Sequence, residues 1–259
     1  MAGISVGLQL YTLREETKED FLGTLHKVAA MGYKVVEFAG YGDVPAKEMK
    51  KVLDDLDLTA SSSHTIGLKF DMDMKEIFAL LDKQMVYNLT IGSRYLISSW
   101  SKMEMMNSKE EIGVFAAKIR AVGERCKQNG LQYCYHNHDF EFAKVDDQYK
   151  LDVLYNAVEA DLLQAELDLY WVQKGGIDPK TYLQTYKGRC PLVHVKDMAD
   201  DAERSFAEVG HGIIDYPSIF AIAAEVGVKY YIVEQDICKR PPLESVRMSI
   251  DYLKSLGIA

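Results

Sequence analysis

The stretch LYTLREETKED, residues 10–20, decides between two architectures. It follows the first β-rich run, SVGLQLY at 5–11, and contains no glycine. A doubly wound open sheet that holds a nucleotide needs a glycine-rich turn at this point, so that the backbone can approach the phosphates. That fold is disfavoured. Outward from here the chain alternates short β-rich runs with longer segments of helical period. The further strand candidates are KVVEFAG (34–40), LTASSSH (58–64), RYLISSW (94–100), LQYCYHN (131–137), QAELDLY (164–170), PLVHVKD (191–197) and KYYIVEQ (229–235), eight in all. KEDFLGTLHKVAAMG (18–32) places Phe21, Leu22, Leu25, Val28 and Ala29 on one helical face and ends at Gly32. The segment 108–130 opens with Ser108 and Glu111 in capping-box spacing and stops at Asn129–Gly130. Residues 215–227 and 242–257 follow the same plan. Eight strand–helix units without a Pro/Gly-rich linker predict an α/β fold, a closed (β/α)8 barrel in which residues 1–259 form a single domain. DDQYKLDVL (146–154) is longer than a simple connection and predicts a small excursion after strand five, of the hairpin kind.

The chain has 259 residues, 48% hydrophobic and 27% charged, which is ordinary globular composition. A net charge of −9 argues against nucleic acid as a partner, because that needs clustered Lys and Arg. No run approaches the roughly 18 apolar residues of a membrane span. The opening MAGISVGLQLYTLREE lacks the basic leader and apolar core of a signal peptide, so a cytoplasmic protein is expected. Cys126, Cys134, Cys190 and Cys238 are scattered without CxxC pairing. They are expected to be reduced, and a thiolate zinc site is disfavoured.

Polar residues gather where strands end. YHNHDFEF (135–142) packs two histidines, an asparagine, an aspartate and a glutamate into the end of strand five and the residues after it. Glu37 lies in strand two, and His64 ends strand three. His136 ends strand five, with His138 and Glu141 just beyond. Asp168 lies in strand six, His194 in strand seven with Lys196 and Asp197 following, and Glu234 in strand eight. Each alone has a structural reading: Glu37 as a hydrogen-bonding group, Asp168 as a helix cap, Glu234 as the partner of a lysine. Together they are costly to bury unless paired or metal-bound, and the C-terminal ends of barrel strands converge on one pocket. Asp, His and Glu form a donor mixture that suits one divalent metal ion. Mn²⁺ is favoured, and Mg²⁺, Co²⁺ or Zn²⁺ are also accepted by such donors.

YHNHDFEF, ELDLYWVQKGGIDP (166–179), LVHVKDM (192–198), EVGHGIIDY (208–216) and YIVEQD (231–236) resemble the xylose-isomerase-like TIM-barrel family of sugar phosphate isomerases and epimerases. The likeness spans essentially the whole chain. It implies four ligands to one divalent ion: Glu, Asp, His and Glu from strands five to eight. Asp168, His194 and Glu234 match the last three, 26 and 40 residues apart. Strand five departs from the pattern, with His136 at the usual Glu position. Either His136 is the ligand or Glu141 reaches back. Glu141 is favoured, because a second carboxylate keeps the ion's charge balance.

The resemblance further implies proton transfer beside a carbonyl, through an enediolate that the ion stabilises as a Lewis acid. Glu234 would be ligand and base on one face, and Glu141 or His136 would serve the other. Lys196 would neutralise an enediolate oxygen or a phosphate, or else pair with Asp197 or Glu234. Glu37, His64 and His138 are expected at the substrate. Tyr11, Phe38, Trp100 and Trp171 are expected as aromatic walls. Glu208 and His211 are expected in a glycine-containing loop over the site. The implied partner is a small carbohydrate, and homo-oligomers occur among such proteins. A lyase or dehydratase acting on a keto-inositol or 3-keto-glycoside is the alternative outcome. An endonuclease would need more histidines than the six present, and a non-catalytic sugar-binding barrel would carry no stoichiometric metal.

Overall fold

The structure is a computed structural model and describes residues 4–65, 69, 71–98 and 102–259. Eight parallel strands close into a barrel: β1 (Ser5–Gln9), β2 (Val35–Phe38), β3 (Thr59–His64), β4 (Tyr95–Ser98), β5 (Gln132–His136), β6 (Gln164–Asp168), β7 (Leu192–Val195) and β8 (Tyr230–Val233). Sequence neighbours are barrel neighbours, and β8 closes on β1 in the register Ser5↔Tyr230 to Leu8↔Val233. The expected (β/α)8 barrel is the observed fold.

Most strands stop short of the β-rich runs that announced them. The chain past β1 turns into a 3₁₀ segment at Leu10–Leu13, and past β6 it enters the helix Leu169–Lys174 directly. These residues are apolar because the barrel mouth is packed, not because they extend the sheet; Leu10, Leu13, Leu169 and Tyr170 are all buried. The helix expected over 18–32 is two helices, Arg14–Glu19 and Phe21–Met31. Asp20 breaks the run in an extended conformation, and its Oδ1 accepts the N–H of Gly23 at 2.9 Å as an N-cap. Ser108 caps Lys109–Gln128 as expected, accepting the Glu111 N–H at 3.2 Å.

The hairpin after β5 is present, earlier than expected, at Lys144–Val145 and Gln148–Tyr149. Asp146 and Asp147 turn it with φ of 46° and 62°, the left-handed pair that a two-residue hairpin prefers. A second, unforeseen hairpin pairs Asp197–Met198 with Phe206–Ala207.

Alternate strand residues face the barrel interior. Val35, Cys134, Leu192 and Ile232 pack together in its lower half with Tyr95 and Ile97. Two residues on, the same strands and the residue past β8 supply Glu37, His136, His194 and Glu234, all buried. The interior thus changes from apolar to ionisable over one pleat. A register shift at Val36/Glu37 leaves Ser61 as an extra residue in β3, so that Glu37 pairs with Ser62. Ser61 Oγ donates to the Val36 carbonyl at 3.3 Å, and Ser62 Oγ donates to Glu37 Oε2. Bulges of this kind re-aim side chains beside functional sites. The outer strand faces pack on the helices through Leu8, Val36, Leu96, Tyr133 and Val193. Among the described residues no helix is long and apolar enough to cross a membrane.

One glycine tests this packing. Gly123 lies mid-helix in Lys109–Gln128, where a Cβ would sit 2.4 Å from the Leu162 carbonyl oxygen. Helix propensity favours Gly123→Ala by about 1 kcal/mol. Backbone overlap outweighs it, at about 1–3 kcal/mol. The variant is expected to unfold at lower urea than the wild type.

Candidate functional site

Asp168 is the last residue of β6 and the N-cap of the helix that follows. Its Oδ1 accepts the Trp171 N–H at 3.0 Å, which leaves Oδ2 to face the barrel axis. The cap reading and the site reading are both realised, by different oxygens. His194 and Glu234 meet there: His194 Nδ1 lies 2.8 Å from Glu234 Oε2 and 3.8 Å from Asp168 Oδ2. The fourth member is His136, whose Nε2 lies 3.8 Å from Asp168 Oδ2. One donor atom from each of His136, Asp168, His194 and Glu234 lies within 4.8 Å of the others, and all four residues are buried.

Glu141, the favoured fourth ligand, is not brought into this group. It sits in a 3₁₀ turn, where Tyr135 Oη donates to its Oε1 at 2.7 Å and the His138 N–H to its Oε2 at 2.9 Å. Both oxygens are engaged within the loop, and the strand position, His136, is the one that lies with Asp168, His194 and Glu234. Burial pushes the Glu141 carboxyl up to about 7 against these two donors. The unfolded chain therefore ionises at about 4.5, while the folded chain keeps its proton to about 7. Stability falls as pH rises through that window, by about 1.4 kcal/mol per pH unit and about 3 kcal/mol in all, and levels off above it. Glu141→Gln keeps the shape and removes this slope. Urea midpoints at pH 5 and pH 8 should show the variant gaining on the wild type at pH 8; an equal gap at both would mean that Glu141 ionises normally.

Lys196 is the counter-charge of the upper group. Its buried ammonium lies 2.9 Å from Asp168 Oδ2, 2.8 Å from Glu234 Oε2 and 2.7 Å from Asp236 Oδ2. Asp197, an expected partner, instead accepts backbone N–H groups from Met198, Gly210, Gly212 and Ile214. Burial opposes the charge on Lys196, but the three carboxylates raise its pKa well above the usual lysine value. Burial likewise works against ionised Glu234, and Lys196 and His194 win, holding it below the usual carboxylate range. Asp168 is pushed up by burial, beyond what Lys196 offsets. Burial and the neighbouring His194 and His64 keep His136 well below the ordinary histidine value, hence neutral. His138 falls to about 3, through burial and Lys196.

Two imidazoles and two carboxylates are a donor set that a divalent ion such as Mn²⁺ or Zn²⁺ accepts without thiolates. The four cysteines are free and none belongs to the group. Above it opens a cavity of about 610 Å³, lined among others by Tyr11, His64, His138, Trp171, Glu234 and Asp236. Glu37 lies beneath, bound to Gln9 Nε2 at 2.7 Å and to His194 Nε2 at 2.7 Å. His64 spans Glu37 and Glu166, with Nε2 3.1 Å from each.

Other expected residues fall elsewhere. Glu208 accepts from Ser245 Oγ at 2.8 Å and from Arg240 Nε at 3.1 Å, and His211 is exposed; neither lines the cavity. Phe38 is wholly buried against Phe21 rather than walling the pocket. Trp100 lies outside the described residues. Glu166 and Asp236 were missed, although both stand two residues from a chosen carboxylate and alternation puts Glu166 on the face of Asp168.

Residues 25–256 match the family described as xylose isomerase-like TIM barrel, and the chain belongs to that family. Among solved structures, a sugar phosphate isomerase/epimerase from Parabacteroides distasonis ATCC 8503 is 27% identical, with a TM-score of 0.86 over 100% of this chain and 96% of that one. An inosose dehydratase of Lacticaseibacillus casei is 26% identical over 53% of this chain, which spans about half of that relative's length, 52%. The rhizopine catabolism protein MocC of Rhizobium meliloti is 22% identical over 91% of this chain and 81% of its own.

Proposed function

We propose that the protein is a divalent-metal-dependent isomerase or epimerase that shifts a proton beside the carbonyl of a keto-sugar or sugar phosphate through an enediolate. The observation that carries this is the buried meeting of His136, Asp168, His194 and Glu234 under an open cavity, with Lys196 alongside. A bound ion, Mn²⁺ by preference, would supply Lewis-acid polarisation of the substrate carbonyl. Lys196 offers a fixed positive charge to the oxygen that becomes anionic. Glu234, held ionised by Lys196 and His194 and lining the cavity, accepts the proton from carbon on its side. His138 lines the cavity just past β5, three places from β8 in the barrel, and gives the other face a neutral imidazole for proton relay. Trp171 and Tyr11 offer ring faces to sugar C–H groups.

The relatives named inosose dehydratase favour a second reading. There the same first proton is removed from a keto-inositol, and the enediolate then expels the β-hydroxyl, which takes up the abstracted proton and leaves as water. Incubation with keto-sugars and with an inosose in D₂O separates the two. Product of unchanged formula carrying deuterium at the shifted carbon supports the isomerase; loss of water supports the lyase. Neither exchange nor conversion of any substrate, with metal present, rejects both.

A further inference from the structure

A second layer of carboxylates lies beneath the four donors, and the proton shift itself does not use it. Glu166 on β6 is wholly buried, two residues before Asp168. Its Oε2 lies 3.1 Å from His136 Nδ1, 3.1 Å from His64 Nε2 and 3.3 Å from His194 Nε2, while its Oε1 has no hydrogen-bond partner. Glu37 Oε1 lies 2.7 Å from His194 Nε2. Each of the two imidazoles is therefore held from below by one ring nitrogen. The opposite nitrogens, His136 Nε2 and His194 Nδ1, each stand 3.8 Å from Asp168 Oδ2, and His194 Nδ1 also donates to Glu234 Oε2 at 2.8 Å through a proton that a bound cation would displace.

We propose that Glu166 and Glu37 are positioning residues: Glu166 accepts the Nδ1–H of His136 and Glu37 the Nε2–H of His194, so that the nitrogens turned toward Asp168 and Glu234 are the ones that give a lone pair to a divalent cation, the cation taking the place of the Nδ1 proton of His194. This rests on the metal-dependent reading above. A neutral imidazole has one N–H and one lone pair, and an ionised carboxylate only accepts. The carboxylate's position thus fixes which nitrogen is bare. The inner group of His64, His136, Glu166 and His194 also has its donor atoms within 4.8 Å of one another. An ion there would take the same two rings through their other nitrogens. Two ions at once would take the remaining N–H from each ring and make both rings bridging imidazolates, so the arrangement holds one. His64, between Glu37 and Glu166, offsets their mutual repulsion.

The test uses full-length protein freed of metal by a chelator and titrated with Co²⁺, followed by its visible absorption. The wild type is expected to bind one Co²⁺ per chain. Glu166→Gln and Glu37→Gln are each expected to weaken binding about 10–100-fold with the band shape, and hence the ligand number, unchanged. Circular dichroism verifies folding, and Glu166→Asp, which withdraws the carboxylate, should act in the same direction if Glu166→Gln fails to fold. Wild-type affinity in the variants overturns the proposal. A band shape that shows a lost ligand would make Glu166 a ligand itself, and two Co²⁺ per chain would fill both groups; either also overturns it. A wild type that binds no Co²⁺ removes the metal-dependent reading and this inference together.

Discussion

Glu234→Gln is expected to lower kcat/KM on the keto-sugar or inosose substrate by about 10³-fold, within the range of a lost general base. Glutamine preserves the volume at the end of β8 but cannot be ionised. It also removes the negative charge that His194 Nδ1 and Lys196 Nζ both approach at 2.8 Å. Two losses therefore coincide: the proton acceptor disappears, and one of the four donors becomes neutral. They can be told apart. If the proton acceptor dominates, saturating Mn²⁺ leaves the defect in place and kcat falls with little change in KM. If metal retention dominates, excess Mn²⁺ restores part of the rate. Glu208→Gln is the matched control, because Glu208 is tied to Ser245 and Arg240 and does not line the cavity. Activity there should stay within about two-fold, since neither the four donors nor the cavity lining is altered. A Glu234→Gln enzyme with near wild-type turnover would move the proton transfer to another group, Asp236 being the next carboxylate lining the cavity.

The sequence made the barrel legible because its period is local. Each β-rich run needed only its own residues to be recognised, and the absence of glycine in residues 10–20 removed the open-sheet rival. The strand ends were less legible, because a packed loop and a buried strand are equally apolar. Leu169 and Tyr170 are buried in a helix, not a strand. Asp168, His194 and Glu234 stood out since each interrupts an apolar run, and the closed barrel draws them together. The choice between His136 and Glu141 turned on charge balance, which a linear reading applies without knowing what else carries charge nearby. The barrel supplies that charge from Glu37 and Glu166 below and from Asp236 at the rim. Glu208 and His211 were placed over the site on the strength of their glycines. The Gly210 and Gly212 N–H groups donate to Asp197, so the loop folds around that carboxylate instead. That contact joins residues 13 and 15 positions apart and has no local signature.

Lys196→Met is expected to give the largest change in stability. The ammonium is within 2.9 Å of three carboxylates, on Asp168, Glu234 and Asp236, and is almost wholly shielded from solvent. Removing one partner of a buried ionic group leaves uncompensated charge and costs about 3–5 kcal/mol. At about 2–4 °C per kcal/mol for a chain of this size, metal-free variant should melt roughly 10 °C below metal-free wild type. The dependence on metal has a definite sign. Asp168 Oδ2 and Glu234 Oε2 face Lys196 and are also donors of the proposed cation site. Ammonium and cation draw on the same negative charge, so each weakens the attraction of that charge for the other. With methionine in place, the cation replaces the offset that the ammonium gave these carboxylates. Added Mn²⁺ should therefore raise the melting temperature of Lys196→Met by more than it raises that of the wild type, through preferential binding to the folded state. The rate should not recover in parallel, because the charge beside the developing oxyanion is still missing. Melting curves of both proteins, with chelator and with saturating Mn²⁺, read all three effects. Equal metal-induced shifts in the two proteins would mean that ammonium and cation do not share these oxygens, and that the cation is held by the inner histidines instead.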